Sequence, residues 1–297
     1  MNFPCMIGLE QLGFHVIEVP TPVNTSAIKH KFLREHIDKN GCCGAAELIK
    51  LTSYLLYEYH RVIHLDADTL FLNPIDELFA RNYSLIYTTD PNMATFKGID
   101  KMPVQGGFII LQPSYHDYQN LINIIMNIEF GSGTGWNRSK IGWFWGGMTV
   151  QGVLPYYYNR LTTPNRSQII DRCYYNTMAD SDDCIQKKLI ELKSAHFTVC
   201  QKPWKCYRAY VNTLCGELHK RWFQLRQEAE EFYNISYHIK NPQISSCGKG
   251  GPMNYRMMDL SNVVIPHDRI PFVIPDHSPD FYAPIKEAGY ILGSKYN

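Results

Sequence analysis

Strand and helix signals take turns along the first half of the chain, and few architectures accommodate that order. Phe14-His15-Val16-Ile17-Glu18-Val19 alternates and stops at Pro20, as a half-buried strand does. Residues 44–58 place Leu48, Leu51 and Leu55 at helical spacing and lead straight into the apolar strand Val62-Ile63-His64-Leu65. Leu85-Ile86-Tyr87 and Phe108-Ile109-Ile110-Leu111 are two further strands, the second closed by Pro113. Ser114 then caps a helix carrying Tyr118, Leu121, Ile122, Ile125 and Met126 on one face. Strands separated by helices predict an α/β fold, its mostly parallel sheet covered on both sides. A length of 297 residues allows one large domain of this class or two small ones.

With 29 Lys plus Arg against 28 Asp plus Glu, the net charge of +1 gives no electrostatic reason to expect a nucleic-acid or membrane-surface partner. No run approaches the roughly 20 apolar residues of a transmembrane helix. Nine cysteines include no Cys-x-x-Cys pair, which argues against a zinc ribbon or a thioredoxin-like site. Five of them fall between Cys173 and Cys215, and Asn24, Asn82, Asn137, Asn165 and Asn234 each begin an Asn-x-Ser/Thr sequon. Together these favour an oxidising, secretory lumen such as the Golgi; chance sequons and buried free thiols would leave a cytoplasmic protein instead. No signal peptide or anchor helix precedes residue 1, so a lumenal protein is expected to have lost something N-terminal.

Gly131-Ser132-Gly133-Thr134-Gly135 lacks phosphate-cradle spacing and follows no strand, so a mobile hinge or linker is expected there. Leu218, Trp222, Leu225, Ala229 and Phe232 form one stripe of a late amphipathic helix. Beyond Cys247, five prolines from Pro266 to Pro284 predict an irregular tail. Its His267-Asp268 and Asp276-His277 pairs are better read as turn residues than as metal ligands.

Asp66-Ala67-Asp68 ends the apolar strand. In extended backbone, residues i and i+2 point to the same side, so both carboxylates can converge on one cation. Asp-x-Asp is a weak signal by itself, and Asp180-Ser181-Asp182 supplies another in a polar loop. Position separates them, because ligands of open α/β sheets lie outside the carboxyl ends of the strands. Two adjacent carboxylates there repel each other unless a cation is shared. A hard divalent ion, Mg²⁺ or Mn²⁺, keeps places free for phosphate oxygens, and an added imidazole tilts the choice toward Mn²⁺. His196-Phe197-Thr198-Val199-Cys200-Gln201-Lys202-Pro203-Trp204 offers that imidazole, a cation for phosphate at Lys202, and a pocket wall at Trp204.

From about residue 8 to residue 206 the chain resembles glycosyltransferase family 8. Two stretches carry the likeness. The run from Glu47 to Phe79 resembles the family's signature around its metal-binding Asp-x-Asp, and His196 to Trp204 meets HFxGxxKPW everywhere except at Val199, which stands for Gly. The resemblance implies a GT-A fold, Rossmann-like and here N-terminally truncated, the chain being expected to start after the first nucleotide-binding strand and its helix. It implies a retaining, Mn²⁺-dependent transfer of a hexose from a UDP-sugar to a carbohydrate or protein acceptor, with Mg²⁺ as the second choice of ion. Asp66, Asp68 and His196 would hold the metal and Lys202 the diphosphate. Lys50, Ala67, Gln105, Gly106, Gly107 and Trp204 would join the donor site, and Asp90 and Gln151 would act with Lys202 around the sugar. The Asp that precedes the family's Gln is Val150 here. Residues 1–206 are expected to form the transferase domain and 207–297 a C-terminal helix and tail packed on it.

Two rival readings remain. A haloacid-dehalogenase-type magnesium phosphatase fails at Leu70, the fifth position of its motif, and lacks a later Gly-Asp-x-x-x-Asp. A catalytically impaired sugar-nucleotide or glycan-binding descendant is motivated by Val150, Val199 and the absent first strand.

Overall fold

The computed structural model describes residues 16–206 and 212–233, with Leu9, Leu12, Phe14, Cys247 and residues 254–258. Its strands are β1 (Val62–Leu65), β2 (Thr69–Phe71), β3 (Leu85–Thr89), β4 (Val104–Leu111), β5 (Phe130–Gly131), β6 (Gly135–Trp136), β7 (Ser167–Ile169) and β8 (Ser194–His196). One sheet has the order β1-β4-β3-β7. β4 runs antiparallel to β1 and β3, while β3 runs parallel to β7, so β1, β3 and β7 share a direction and β4 alone opposes them. The α/β class and the prevailing strand direction follow the expectation. The reversal of β4 has a local cause. Parallel neighbours are usually joined by a crossover helix, whereas the β3–β4 link holds only the single turns Pro91–Met93 and Ile99–Lys101.

The sheet is covered on both faces. Ile109 and Leu111 of β4 enter one core with Leu48, Leu51 and Leu121, whereas Phe108 and Ile110 enter another with Ile75 and Leu78. The helix after Ser114 spans Tyr115–Asn127, and Ser114 Oγ caps it by accepting from Asp117 N–H at 3.2 Å. The earlier helix, Gly44–Leu55, is a 3-10 helix rather than an α-helix. Its buried residues Ala45, Leu48, Leu51 and Tyr54 recur every third position, as three residues per turn require.

Three expectations are corrected. Residues 16–19 form no strand and pair with no described strand, and an alternating segment without a ladder partner has nothing to hold it extended. Gly131 to Gly135 is a tight hairpin, not a hinge: Gly131 pairs with Gly135, and a Cβ on Gly135 would lie 2.0 Å from Ile141 O. The late helix, Leu214–Phe232, buries Leu214, Leu218, Phe223, Arg226 and Glu230, while Phe232 is exposed. Its inner face tolerates charge because Arg226 donates to Glu230 Oε1 at 2.9 Å and lies over the Tyr255 ring. The proline-rich tail from Pro266, with its two His/Asp pairs, and most of residues 1–12 lie outside the described residues.

Among the described residues no helix is long and apolar enough to cross a membrane. Disulfides join Cys173 to Cys184, Cys200 to Cys215 and Cys206 to Cys247. Cys200–Cys215 staples the late helix to the segment that follows His196, where Leu192, Phe197, Leu214 and Leu218 share a small core. Closing a loop of 15 residues stabilises by about 3 kcal/mol in the chain-entropy account. The Cys200→Ser/Cys215→Ser variant should lose roughly that much in denaturant unfolding.

Candidate metal and donor site

Two strand pairings bring the acidic pair and the distant histidine together. Asp66 follows β1 directly, and its N–H donates to Gly107 O at 3.1 Å. Leu65 lies opposite Phe108 and Thr89 opposite Val104, so Asp66, Asp90 and the Gln105-Gly106-Gly107 start of β4 share one end of the sheet. Asp66 to Asp68 is a turn rather than extended chain, with Thr69 N–H donating to Asp66 O at 3.0 Å. The carboxylates converge through that turn, not through strand alternation. β2 then pairs with β8, placing Thr69 opposite His196, and Phe197 N–H donates to Asp68 O at 2.9 Å.

His196 Nε2 lies 3.2 Å from Asp68 Oδ1 and 3.8 Å from Asp66 Oδ2. One ligand atom from each of the three residues falls within 4.8 Å of the others, close enough for a single ion to touch all three. The donor set fits a divalent first-row ion, and a polar atom on the far side of the ring, His196 Nδ1, is buried with no hydrogen-bond partner among the described residues. Gly107 makes the room. A Cβ there would lie 2.4 Å from His196 Cε1 and 3.0 Å from Asp66 Oδ2. Gly107→Ala should therefore displace the imidazole, weaken metal binding in calorimetry and cost about 1–3 kcal/mol of stability.

Two lysines flank the triad. Lys202 donates to Asp68 Oδ2 and, at 2.6 Å, to Phe197 O. Lys50 Nζ lies 2.8 Å from Asp66 Oδ1 and 2.7 Å from Glu47 Oε2, and donates to Gly106 O at 3.1 Å. Burial opposes charge on both aspartates, but hydrogen bonds and cations outweigh it: His64 and Lys50 hold the Asp66 carboxyl low, and His196 and Lys202 hold Asp68 well below the usual range. Burial likewise opposes the Lys50 ammonium, and Asp66 and Glu47 overcome it, so its pKa is raised. Asp90 is pushed the other way by burial and by Asp180, and its Oδ1 has no partner among the described residues. That Asp180, half of the second Asp-x-Asp, is engaged by Arg172 at 2.8 Å.

The other expected residues divide. Gln151 lies beside Lys50: its Cγ and Lys50 Nζ are 3.5 Å and 3.3 Å from the point a Gly106 Cβ would occupy. Gln105 Oε1 accepts from Gly107 N–H at 2.7 Å and from Asn176 at 3.2 Å, which braces the strand start. Ala67 is exposed on the turn. Trp204 contacts Trp222 of the late helix, with ring centroids 5.8 Å apart. Val150 is fully buried, whereas Val199 is 51% exposed. Sequence reasoning missed Glu47, His64 and Asn176 as site residues. Glu47 had a legible signal: it stands three residues before Lys50, one turn of a 3-10 helix.

No family model matches the chain. Human glycogenin-2 is 28% identical over 160 residues, covering 53% of this chain and 27% of that protein. Rabbit and mouse glycogenin-1 are each 30% identical over 115 residues, covering 38% of this chain and 32% of theirs. The chain thus spans about a third or less of the length of these curated relatives. With a GT-A-like α/β sheet and an aspartate pair in the turn after β1, the chain is similar to the glycogenins, and with them to glycosyltransferase family 8.

Proposed function

We propose that this chain is a glycosyltransferase that moves a hexose or related sugar from a UDP-sugar to an acceptor hydroxyl with retention of configuration. The observation that carries the reading is the meeting of Asp66, Asp68 and His196 within 4.8 Å of one another, between two lysines. Mn²⁺ suits this mixed carboxylate–imidazole set and, when bound, would take up diphosphate oxygens and offset their charge.

The chain's own residues serve the leaving group and the sugar. Breaking the glycosidic C–O bond builds negative charge on the departing diphosphate, and Lys202 and Lys50 supply fixed positive charge on either side of the aspartates. Gln151, beside Lys50, and Asp90, with its unpartnered Oδ1, are assigned the sugar hydroxyls in this reading. Gln151, an amide, is a poor covalent nucleophile, which favours attack by the acceptor from the face the leaving group vacates. Buried Val150, where the family places Asp, favours a second reading, binding without turnover.

The six paired cysteines and the exposed Asn24, Asn82, Asn137 and Asn165 support a secretory lumen as the site of action. An enzyme that removes N-linked glycans should increase the electrophoretic mobility of the natively expressed protein.

The deciding experiment incubates the purified chain with Mn²⁺ and UDP-glucose, UDP-galactose, UDP-glucuronate or UDP-xylose, reading UDP release, alongside calorimetry of UDP with and without Mn²⁺. Release from one donor supports transfer. Metal-dependent UDP binding without release from any donor supports the second reading. Absence of both overturns the donor site.

A further inference from the structure

Lys50 links Asp66 to Glu47, and Glu47 belongs to a second cluster of ligating atoms. Gly41-Cys42-Cys43-Gly44 turns so that Cys42 Sγ is 3.3 Å from Cys43 Sγ and 3.3 Å from Glu47 Oε1. The three donors fall within 4.8 Å of one another, neither thiol forms a disulfide among the described residues, and both cysteines are exposed. We propose that Cys42, Cys43 and Glu47 bind a thiophilic divalent cation, Zn²⁺ by its chemistry, at a site separate from Asp66, Asp68 and His196.

Three features of the cluster support this. Around a tetrahedral zinc with sulfur at about 2.3 Å, two sulfurs stand about 3.8 Å apart, so the observed 3.3 Å needs only a small opening of two exposed side chains. Charge also balances: two thiolates and the Glu47 carboxylate carry three negative charges, which a divalent cation and the Lys50 ammonium at 2.7 Å offset. Cys42 Sγ also donates to Glu47 Oε1 at 3.3 Å, so a cation would take the place of a proton between the same two ligand atoms. Binding displaces one proton from each thiol to solvent, leaves both sulfurs reduced, and leaves a fourth position for water. Because Glu47 offers one oxygen to the cation and the other to Lys50, filling the site should also alter the grip of Lys50 on the donor phosphates. That consequence rests on the proposed donor site; the binding itself does not.

The test titrates the intact chain with Co²⁺. The expected result is a near-ultraviolet thiolate-to-cobalt absorption that saturates at one equivalent and is abolished by Zn²⁺ but not by Mn²⁺. Asp66→Asn/Asp68→Asn should keep the band, since that site offers no sulfur. Cys42→Ser/Cys43→Ser should lose it with an unchanged thermal unfolding profile of the metal-free chain, and Glu47→Gln should weaken Zn²⁺ binding at least about tenfold. Absence of the band overturns the proposal, as does mass spectrometry of the unreduced protein that finds Cys42 or Cys43 in a disulfide. Zn²⁺ should shift Mn²⁺-dependent UDP affinity in the native chain and not in Cys42→Ser/Cys43→Ser; an equal response in both overturns the coupling while leaving the cobalt result to stand.

Discussion

Asp68→Asn should reduce UDP release from the sugar nucleotide at least about a thousandfold, about 4 kcal/mol of transition-state stabilisation. Asp68 is the junction of the site: one carboxylate oxygen faces His196 Nε2 at 3.2 Å and the other accepts from Lys202. An amide keeps its size but carries no charge, so it loses a strong oxygen donor to the metal and releases Lys202 from its anchor. The fold should persist, because the β2–β8 pairing runs through backbone atoms, including Asp68 O to Phe197 N–H at 2.9 Å. Turnover at saturating Mn²⁺ and Mn²⁺ affinity by calorimetry check this separately. If both match the unsubstituted chain, Asp68 is no ligand and the donor site is misplaced. Lys202→Ala should instead leave Mn²⁺ affinity nearly intact and act on UDP binding and release.

The largest loss of stability should come from the far end of the sheet. Asp117 is 1% exposed and receives Arg166 through two nitrogens, at 2.6 Å and 3.0 Å, and the Tyr157 hydroxyl at 2.6 Å. Arg166 also donates to Ser84 Oγ at 3.0 Å, so one carboxylate ties the helix Tyr115–Asn127 to the segments entering β3 and β7. Asp117→Ala leaves a guanidinium and a phenol without their acceptor. A broken buried pair costs about 3–5 kcal/mol, and the lower end applies because the Arg166 side chain keeps 29% exposure. Denaturant unfolding should show a loss of about 3 kcal/mol, with Mn²⁺ affinity unchanged in the folded fraction.

The effect should depend on pH with a definite sign. Burial opposes the Asp117 carboxylate, but Arg166 and Tyr157 outweigh it, and its pKa lies below the ordinary 3.8. A depressed pKa contributes stability that is fully present above the unfolded value and is lost as pH falls through the folded one. The stability difference between the native chain and Asp117→Ala should therefore be constant near neutrality and shrink below about pH 4. A difference that grows on acidification would contradict the ion pair.

Local signals carried much of the site. Lys50 was pointed to only by the family resemblance, whereas Asp66 and Asp68 at a strand end and His196 six residues before Lys202 were legible because each depends on chain neighbours. The β3–β4 reversal, the Cys200–Cys215 and Cys206–Cys247 pairings, and the hairpin at Gly131 were not, because each depends on which distant segment comes alongside. Glu47 lay between the two cases: its three-residue spacing to Lys50 was visible, but the 3-10 helix is what stacks the two directly in one row.

Residue order alone set the alternation of strand and helix, the acidic pair at the close of an apolar strand, and the two motif stretches that point to a sugar-nucleotide site. Tertiary packing settled how they meet. The register of β2 against β8 carries His196 to the aspartates, and Gly107 leaves the space its ring occupies. Periodicity is written in neighbouring residues, whereas register and free space arise only when segments far apart in the chain compete for the same surface.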